Sequence, residues 1–262
     1  MSSLDLRALL ERARQAPVTA GLAARAMSLI DLTSLGGSET PAEIERLCER
    51  AVRHGTAAIC IYAEHVPLAR AHLDGSAVRL ATVANFPHGG DDIAAAAEET
   101  AAAVAAGADE VDVVAPIAAI LDGDIGLVGE LVEGCRAAAG MGTTLKLILE
   151  TGSLQDSAVI TAAARAAVMA GIDFLKTSTG KGEVGATLEA AAALLAVIHE
   201  AGGRVGFKAA GGIRTAADAA SYLALADAIM GPGWASPRTF RFGASSLLDD
   251  LLGRGGEVPG GY

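Results

Sequence analysis

Apolar residues recur along this chain in eight short runs, separated by longer alanine-rich stretches with helical spacing. The runs at 26–31, 57–62, 79–84, 109–114, 144–150, 172–177, 204–208 and 239–244 have the length and branched or aromatic content of strands. Ala-Gly dipeptides at 106–107, 139–140, 170–171 and 201–202 each precede a run, where a C-cap glycine would end the preceding helix. Thr215 with Asp218 reads as a capping box, and Asp91-Asp92 places negative charge at another helix start. Eight strand–helix alternations in 262 residues predict a (β/α)8 TIM barrel. A doubly wound open sheet is the competing arrangement, but it would leave the eighth unit as an edge, and no Gly-x-Gly-x-x-Gly follows the first run. Outside the eight units, 3–25 predict one or two helices capping the barrel floor, and 253–262 predict a flexible glycine-rich tail. With no linker-like break, one domain over 1–262 is expected.

Composition narrows the picture. Just over half the residues are apolar but only 3% are aromatic, so the core must pack through small and branched aliphatic side chains. A formal charge of −11 argues against nonspecific binding to nucleic acid or acidic membranes, while leaving room for a small anion held by a local cluster. Cys48, Cys60 and Cys135 form no C-x-x-C pair and read as reduced thiols of a cytoplasmic protein. The charged N-terminal segment does not resemble a signal peptide, and no stretch approaches the ~18 apolar residues of a membrane span.

Candidate chemistry comes from lysines inside strand runs. Side chains alternate across a strand, so Lys176 shares a face with Phe174, Lys208 with Gly206, and Asp112 and Lys146 lie between outward aliphatic neighbours. Four ionisable groups from adjacent strands then converge at the carboxyl-terminal end of the barrel, where catalytic groups of this fold lie. Burial disfavours an ammonium. A second one ~4 Å away adds about 4 kcal/mol of repulsion at an effective dielectric of ~20, roughly three pKa units. Such an amine would fall from about 10.4 to near 7 and become a nucleophile for carbonyl carbons, forming a Schiff base. A structural ion pair is the competing explanation for Lys146 and for Asp112 taken alone.

The turns after the last three runs are rich in glycine: Gly180-Lys181, Gly211-Gly212 with Arg214, and Gly243 with Ser245 and Ser246. Backbone amides at such turns can cradle a phosphate next to helix N-termini, so these eight residues are the candidate phosphate site. The histidines lack metal-ligand spacing, and neither a metal nor an organic cofactor is expected.

At these residues the sequence resembles the deoxyribose-phosphate aldolase family, the class I Schiff-base enzymes of deoxynucleoside breakdown. The resemblance runs through Leu-Ile-Asp-Leu-Thr (29–33), Ala-Ala-Ile-Cys-Ile-Tyr (57–62), Thr-Val-Ala-Asn-Phe-Pro-His-Gly (82–89), Gly-Ala-Asp-Glu-Val-Asp-Val-Val (107–114), Leu-Lys-Leu-Ile-Leu-Glu-Thr-Gly (145–152), Phe-Leu-Lys-Thr-Ser-Thr-Gly-Lys (174–181) and Arg-Phe-Gly-Ala-Ser-Ser (241–246). It implies reversible cleavage of 2-deoxy-D-ribose 5-phosphate to D-glyceraldehyde 3-phosphate and acetaldehyde. Lys176 matches the Schiff-base lysine, Lys208 the lysine that perturbs it, and Asp112 the proton-shuttling acid. Asp31, Thr33 and Lys146 match supporting positions, Cys60 a cysteine near the pocket, and Tyr262 a C-terminal tyrosine that assists proton exchange. Ala209 departs from the proline common after the second lysine. Small sugar phosphates and aldehydes are the implied partners and a homodimer the expected assembly. Another Schiff-base aldolase or transaldolase, and a non-catalytic phosphosugar-binding barrel, are the alternative functions.

Overall fold

The computed structural model describes residues 3–255. Its eight strands are β1 (Ile30–Thr33), β2 (Ala58–Cys60), β3 (Arg79–Ala84), β4 (Glu110–Val114), β5 (Thr144–Ile148), β6 (Phe174–Lys176), β7 (Gly206–Ala210) and β8 (Phe240–Ala244). They pair in parallel and in chain order, and β8 returns to β1 through Asp31 opposite Gly243, so the sheet is a closed barrel. The helices are α1 (Ser3–Arg14), α2 (Leu22–Met27), α3 (Pro41–His54), α4 (Val66–His72), α5 (Ile93–Ala105), α6 (Ile117–Leu121), α7 (Gly126–Ala139), α8 (Thr151–Leu154), α9 (Ser157–Met169), α10 (Leu188–Glu200), α11 (Ala216–Met230) and α12 (Leu247–Gly255). The fold is a (β/α)8 TIM barrel with additional N-terminal helices.

The punctuation works as its chemistry requires. Gly107, Gly140, Gly171 and Gly202 all have positive φ just after helices, a conformation that costs glycine nothing. Thr215 and Asp218 form a reciprocal capping box at the start of α11, and the Asp92 side chain accepts from the Ala95 amide at the start of α5.

Outward strand residues such as Leu32, Ile59, Val111, Leu147, Leu175 and Phe207 are fully buried beneath the helices. The Phe240 ring meets Phe207 and Phe242 at centroid distances of 5.6 and 4.8 Å. With this layer dry and largely apolar, the charged side chains of the strands gather on the inside.

Two expectations need correction. The run at 26–31 is not one strand: Leu22 and Ala26, four apart, are buried as one helical face of α2, and β1 begins at Ile30. A short apolar run fits either period, and here the helical one wins. The N-terminal helices also do not both cap the floor. α1 packs along α10 and α11, where Arg14 pairs with Glu189 at the start of α10. α2 reaches the far end of α11, where Arg25 donates to Asp227 at 2.6 and 2.7 Å. Among the described residues, no helix is long and apolar enough to cross a membrane.

Candidate active site

Register places the charged residues in two neighbouring pairs. Asp112 lies opposite Lys146 across β4 and β5, and Lys176 opposite Lys208 across β6 and β7. All four point into the barrel and are almost sealed from water. Asp112 is their common partner. Its Oδ1 accepts from Lys146 Nζ at 2.7 Å, and its Oδ2 accepts from both Lys176 and Lys208 Nζ at 2.8 Å.

Beneath this layer lies a second one that strand patterning left unassigned. Glu110, two residues before Asp112 on β4, approaches Lys146 Nζ at 2.6 Å. Arg241, two residues before Gly243 on β8, donates to Asp31 Oδ1 at 2.5 Å and to Glu110 Oε1 at 2.8 Å. Asp31 closes the loop by accepting from Lys208 through its other oxygen. The same alternation rule that points Asp112 inward would have found Glu110, and applied back from Gly243 it would have found Arg241. Three carboxylates therefore face Lys146, Lys176, Lys208 and Arg241.

The three lysines are not equivalent. Burial opposes the charge of each, but Asp112 and Glu110 overcome it at Lys146, and Asp112 and Asp31 overcome it at Lys208, so both are held above the ordinary lysine value. Among the described residues, Lys176 has only the shared oxygen of Asp112 as its carboxylate partner. Burial, reinforced by the Lys208 ammonium, pushes it below the ordinary value. Asp112 is driven well below the carboxylate range despite burial, by Lys146, Lys176 and Lys208. Asp31 is lowered likewise, by Arg241, Lys208 and Lys146.

Above the cluster, a cavity of about 400 Å³ opens at the carboxyl-terminal mouth. Lys176 and Thr33 line it, together with all eight candidate phosphate residues: Gly180, Lys181, Gly211, Gly212, Arg214, Gly243, Ser245 and Ser246. Gly211 and Gly212 both have φ of +85°, and α12 starts immediately after Ser246. The Lys181 ammonium donates to the Leu35 carbonyl, while the Arg214 guanidinium has no protein partner among the described residues. Glu39, also on the wall and not anticipated, accepts from the Gly36 and Gly37 amides and the Ser34 hydroxyl. Those bonds outweigh its burial and hold its carboxyl at about 2.

Asp31, Lys146, Asp112 and Lys208 lie below the cavity without lining it. Cys60 is fully buried on β2 in a small group with Leu35, Ala81 and Val83; burial pushes its thiol up, against the pull of Lys208. Tyr262 lies outside the described residues. An uncharged amine at the base of a cavity, with ammonium and carboxylate groups next to it, can attack a carbonyl carbon and has proton donors and acceptors at hand.

The family model described as DeoC/LacD family aldolase matches residues 25–253, nearly the whole barrel. The chain belongs to the DeoC/LacD aldolase family. Solved structures similar to this DeoC/LacD aldolase include one from Coccidioides immitis, described as a candidate deoxyribose-phosphate aldolase, at 26% identity and a TM-score of 0.80 over 97% of this chain and 98% of that one. The aldolase QR15 is 28% identical with a TM-score of 0.74, covering 87% of this chain and 96% of its own. The tetrameric deoxyribose phosphate aldolase of Aeropyrum pernix shares the fold at 22% identity and a TM-score of 0.76, over 98% of this chain and all of that chain.

Proposed function

We propose that this aldolase cleaves 2-deoxy-D-ribose 5-phosphate reversibly to D-glyceraldehyde 3-phosphate and acetaldehyde through a Schiff base on Lys176. The carrying observation is the asymmetry among the three buried lysines: of Lys146, Lys176 and Lys208, Lys176 is the one with a single carboxylate partner among the described residues and the one that lines the cavity. The phosphate assignment is supported by the glycine turns, the paired serines and the Arg214 guanidinium, unpartnered among the described residues, around that cavity, which suit an anion on an otherwise acidic protein.

In the cleavage direction, the free amine of Lys176 adds to the aldehyde carbon of the open-chain sugar. The carbinolamine loses water to give an iminium. The proton of the C3 hydroxyl leaves, the C2–C3 bond breaks, and its electron pair flows to the iminium to form an enamine. Glyceraldehyde 3-phosphate departs, the enamine carbon takes a proton, and hydrolysis releases acetaldehyde and the amine. Asp112 and Lys208, hydrogen-bonded to each other beside the amine, are the groups nearest to carry these protons, directly or through water. Asp31 and Lys146 hold that pair in place, and Thr33, on the cavity wall, would contact a sugar hydroxyl.

Borohydride reduction with acetaldehyde present should add a two-carbon group to Lys176, as read by peptide mapping. A label on Lys146 or Lys208 would overturn the choice of nucleophile. Release of acetaldehyde from deoxyribose 5-phosphate, compared with dihydroxyacetone- and pyruvate-forming substrates, tests the reaction itself.

A further inference from the structure

Arg241 is 4% exposed and does not line the substrate cavity. Besides Asp31 and Glu110, it is anchored by its Nε donating to the Pro237 carbonyl at 2.6 Å, and its guanidinium lies 5.7 Å from the centroid of the Phe174 ring. A guanidinium keeps its charge at any pH at which the protein is folded. With Arg241, Lys146 and Lys208 charged, three cations face the three carboxylates Asp31, Glu110 and Asp112. A protonated Lys176 is then the fourth cation and has no counterpart.

We infer that Arg241 is a positioning residue for the aldolase reaction: by neutralising Asp31 and Glu110 from below, it leaves Lys176 as the one amine the carboxylates do not hold as a cation. The inference rests on Lys176 being the reactive amine. Were Arg241 neutral, two fixed cations would face three carboxylates and Lys176 would be retained as the third. Were Glu110 neutral, three cations would face two carboxylates and Lys176 would be repelled further from its charged form.

The other groups around Lys176 stay the same in either case. Cys60 faces it from β2, and Asp112, Lys146 and Lys208 come from β4, β5 and β7. Glu39, Lys181 and Arg214 stand at the cavity wall, and the Glu150 carboxylate is tied to the Thr179 amide at 3.0 Å. On the same face of β3, Ala81 and Val83 carry no charge, and Arg79 at the exposed start of the strand faces Asp109 at 3.8 Å.

The test uses the full-length chain and two readouts at Lys176, each followed across pH by peptide mapping. One is carbamylation by cyanate, which needs no turnover, and the other is borohydride trapping of acetaldehyde. Arg241→Met should raise the cyanate midpoint by on the order of one to two pH units, with labelling at neutral pH falling about 10- to 100-fold. Glu110→Gln should move it the opposite way. The double variant, which has fewer hydrogen bonds than either single one, should return the midpoint close to that of the unaltered protein, a rescue that lost packing could not produce. An unmoved midpoint in Arg241→Met, or a double variant that stays with it, would overturn the inference. If Arg241→Met does not fold, Glu110→Gln alone decides, since an unchanged or raised midpoint also overturns it. Absence of acetaldehyde trapping at Lys176 in the unaltered protein, with the cyanate shifts as expected, would instead reject the Schiff-base reading and leave the charge role of Arg241 standing.

Discussion

Lys176 and Lys208 face each other across β6 and β7, and both ammonium nitrogens reach the same oxygen, Asp112 Oδ2, at 2.8 Å. What separates them is a second carboxylate. Lys208 also has Asp31, which keeps it charged, whereas Lys176 has none and opens into the cavity. Two identical side chains at the same height thus acquire opposite proton affinities from one neighbour.

Replacing Lys208 by leucine should therefore change which amine carries the proton. Lys208→Leu removes one fixed cation beside Asp112 and Asp31, so Lys176 becomes the preferred cation and its value rises. The acid limb of the kcat/KM profile should move to higher pH. Each unit of that rise cuts the free-amine fraction at neutral pH by up to about tenfold, in addition to any loss in proton transfer. A pH profile that merely falls in height would show that Lys208 serves proton transfer alone.

The barrel and much of this site were legible in the residues because strand parity and glycine punctuation are local rules. The same rules point Lys146, Lys176, Lys208 and Asp112 inward, and the last three strand loops bring their glycines to one cavity. What was lost has physical reasons. β1 was misplaced because Leu22 and Ala26 belong to a helical face adjoining a short strand. Alternation puts Glu110 and Arg241 on the inward face, but their pairing joins strands far apart in the chain and is not a local signal. Glu39 is recognisable only once the Ser34–Gly37 turn is seen to fold back on its carboxylate.

The depressed carboxyls predict acid sensitivity. Asp112 and Asp31 have folded values below the ordinary carboxylate range. The unfolded chain consequently binds more protons than the folded one as pH falls through about 4. The stability they contribute is complete above that range and is lost progressively on acidification toward the folded values. Asp112→Asn should cost about 3–5 kcal/mol at pH 7, since it leaves buried ammonium groups uncompensated. It should also flatten the dependence of stability on pH between 7 and 3. Urea unfolding at the two pH values checks both, and parallel slopes for the two proteins would contradict the assignment.

Ser246 tests the phosphate cradle. It lines the cavity immediately before α12, where a carboxylate in Ser246→Asp would stand beside the substrate dianion. KM for deoxyribose 5-phosphate should rise by about tenfold or more, as expected for a like-charge contact on the order of 1.4 kcal/mol or greater. KM for unphosphorylated deoxyribose should change little. Equal losses on both substrates would assign the 243–246 turn a structural role instead.

The last prediction concerns how the cradle is held open. Gly185, in the loop between β6 and α10, packs backbone to backbone against Gly211: an added Cβ would sit 2.3 Å from the Gly211 carbonyl oxygen and 2.5 Å from its carbon. The next amide, Ala186, donates to that same oxygen at 2.9 Å and to the Ala210 carbonyl at 3.1 Å. No flexible side chain is present there to yield, so Gly185→Ala must push the Gly211-Gly212 turn away, at a cost of about 1–3 kcal/mol. The turn is a wall of the cavity, and KM for the phosphorylated substrate should rise several-fold more than KM for deoxyribose. Gly129→Ala supplies the control. It lies inside α7 with nothing within 4 Å of the new methyl, and it should stabilise the helix by about 0.5–1 kcal/mol while leaving both KM values unchanged. If Gly185→Ala behaved like Gly129→Ala in both assays, the close approach of the two loops would not be what sets the shape of the anion site.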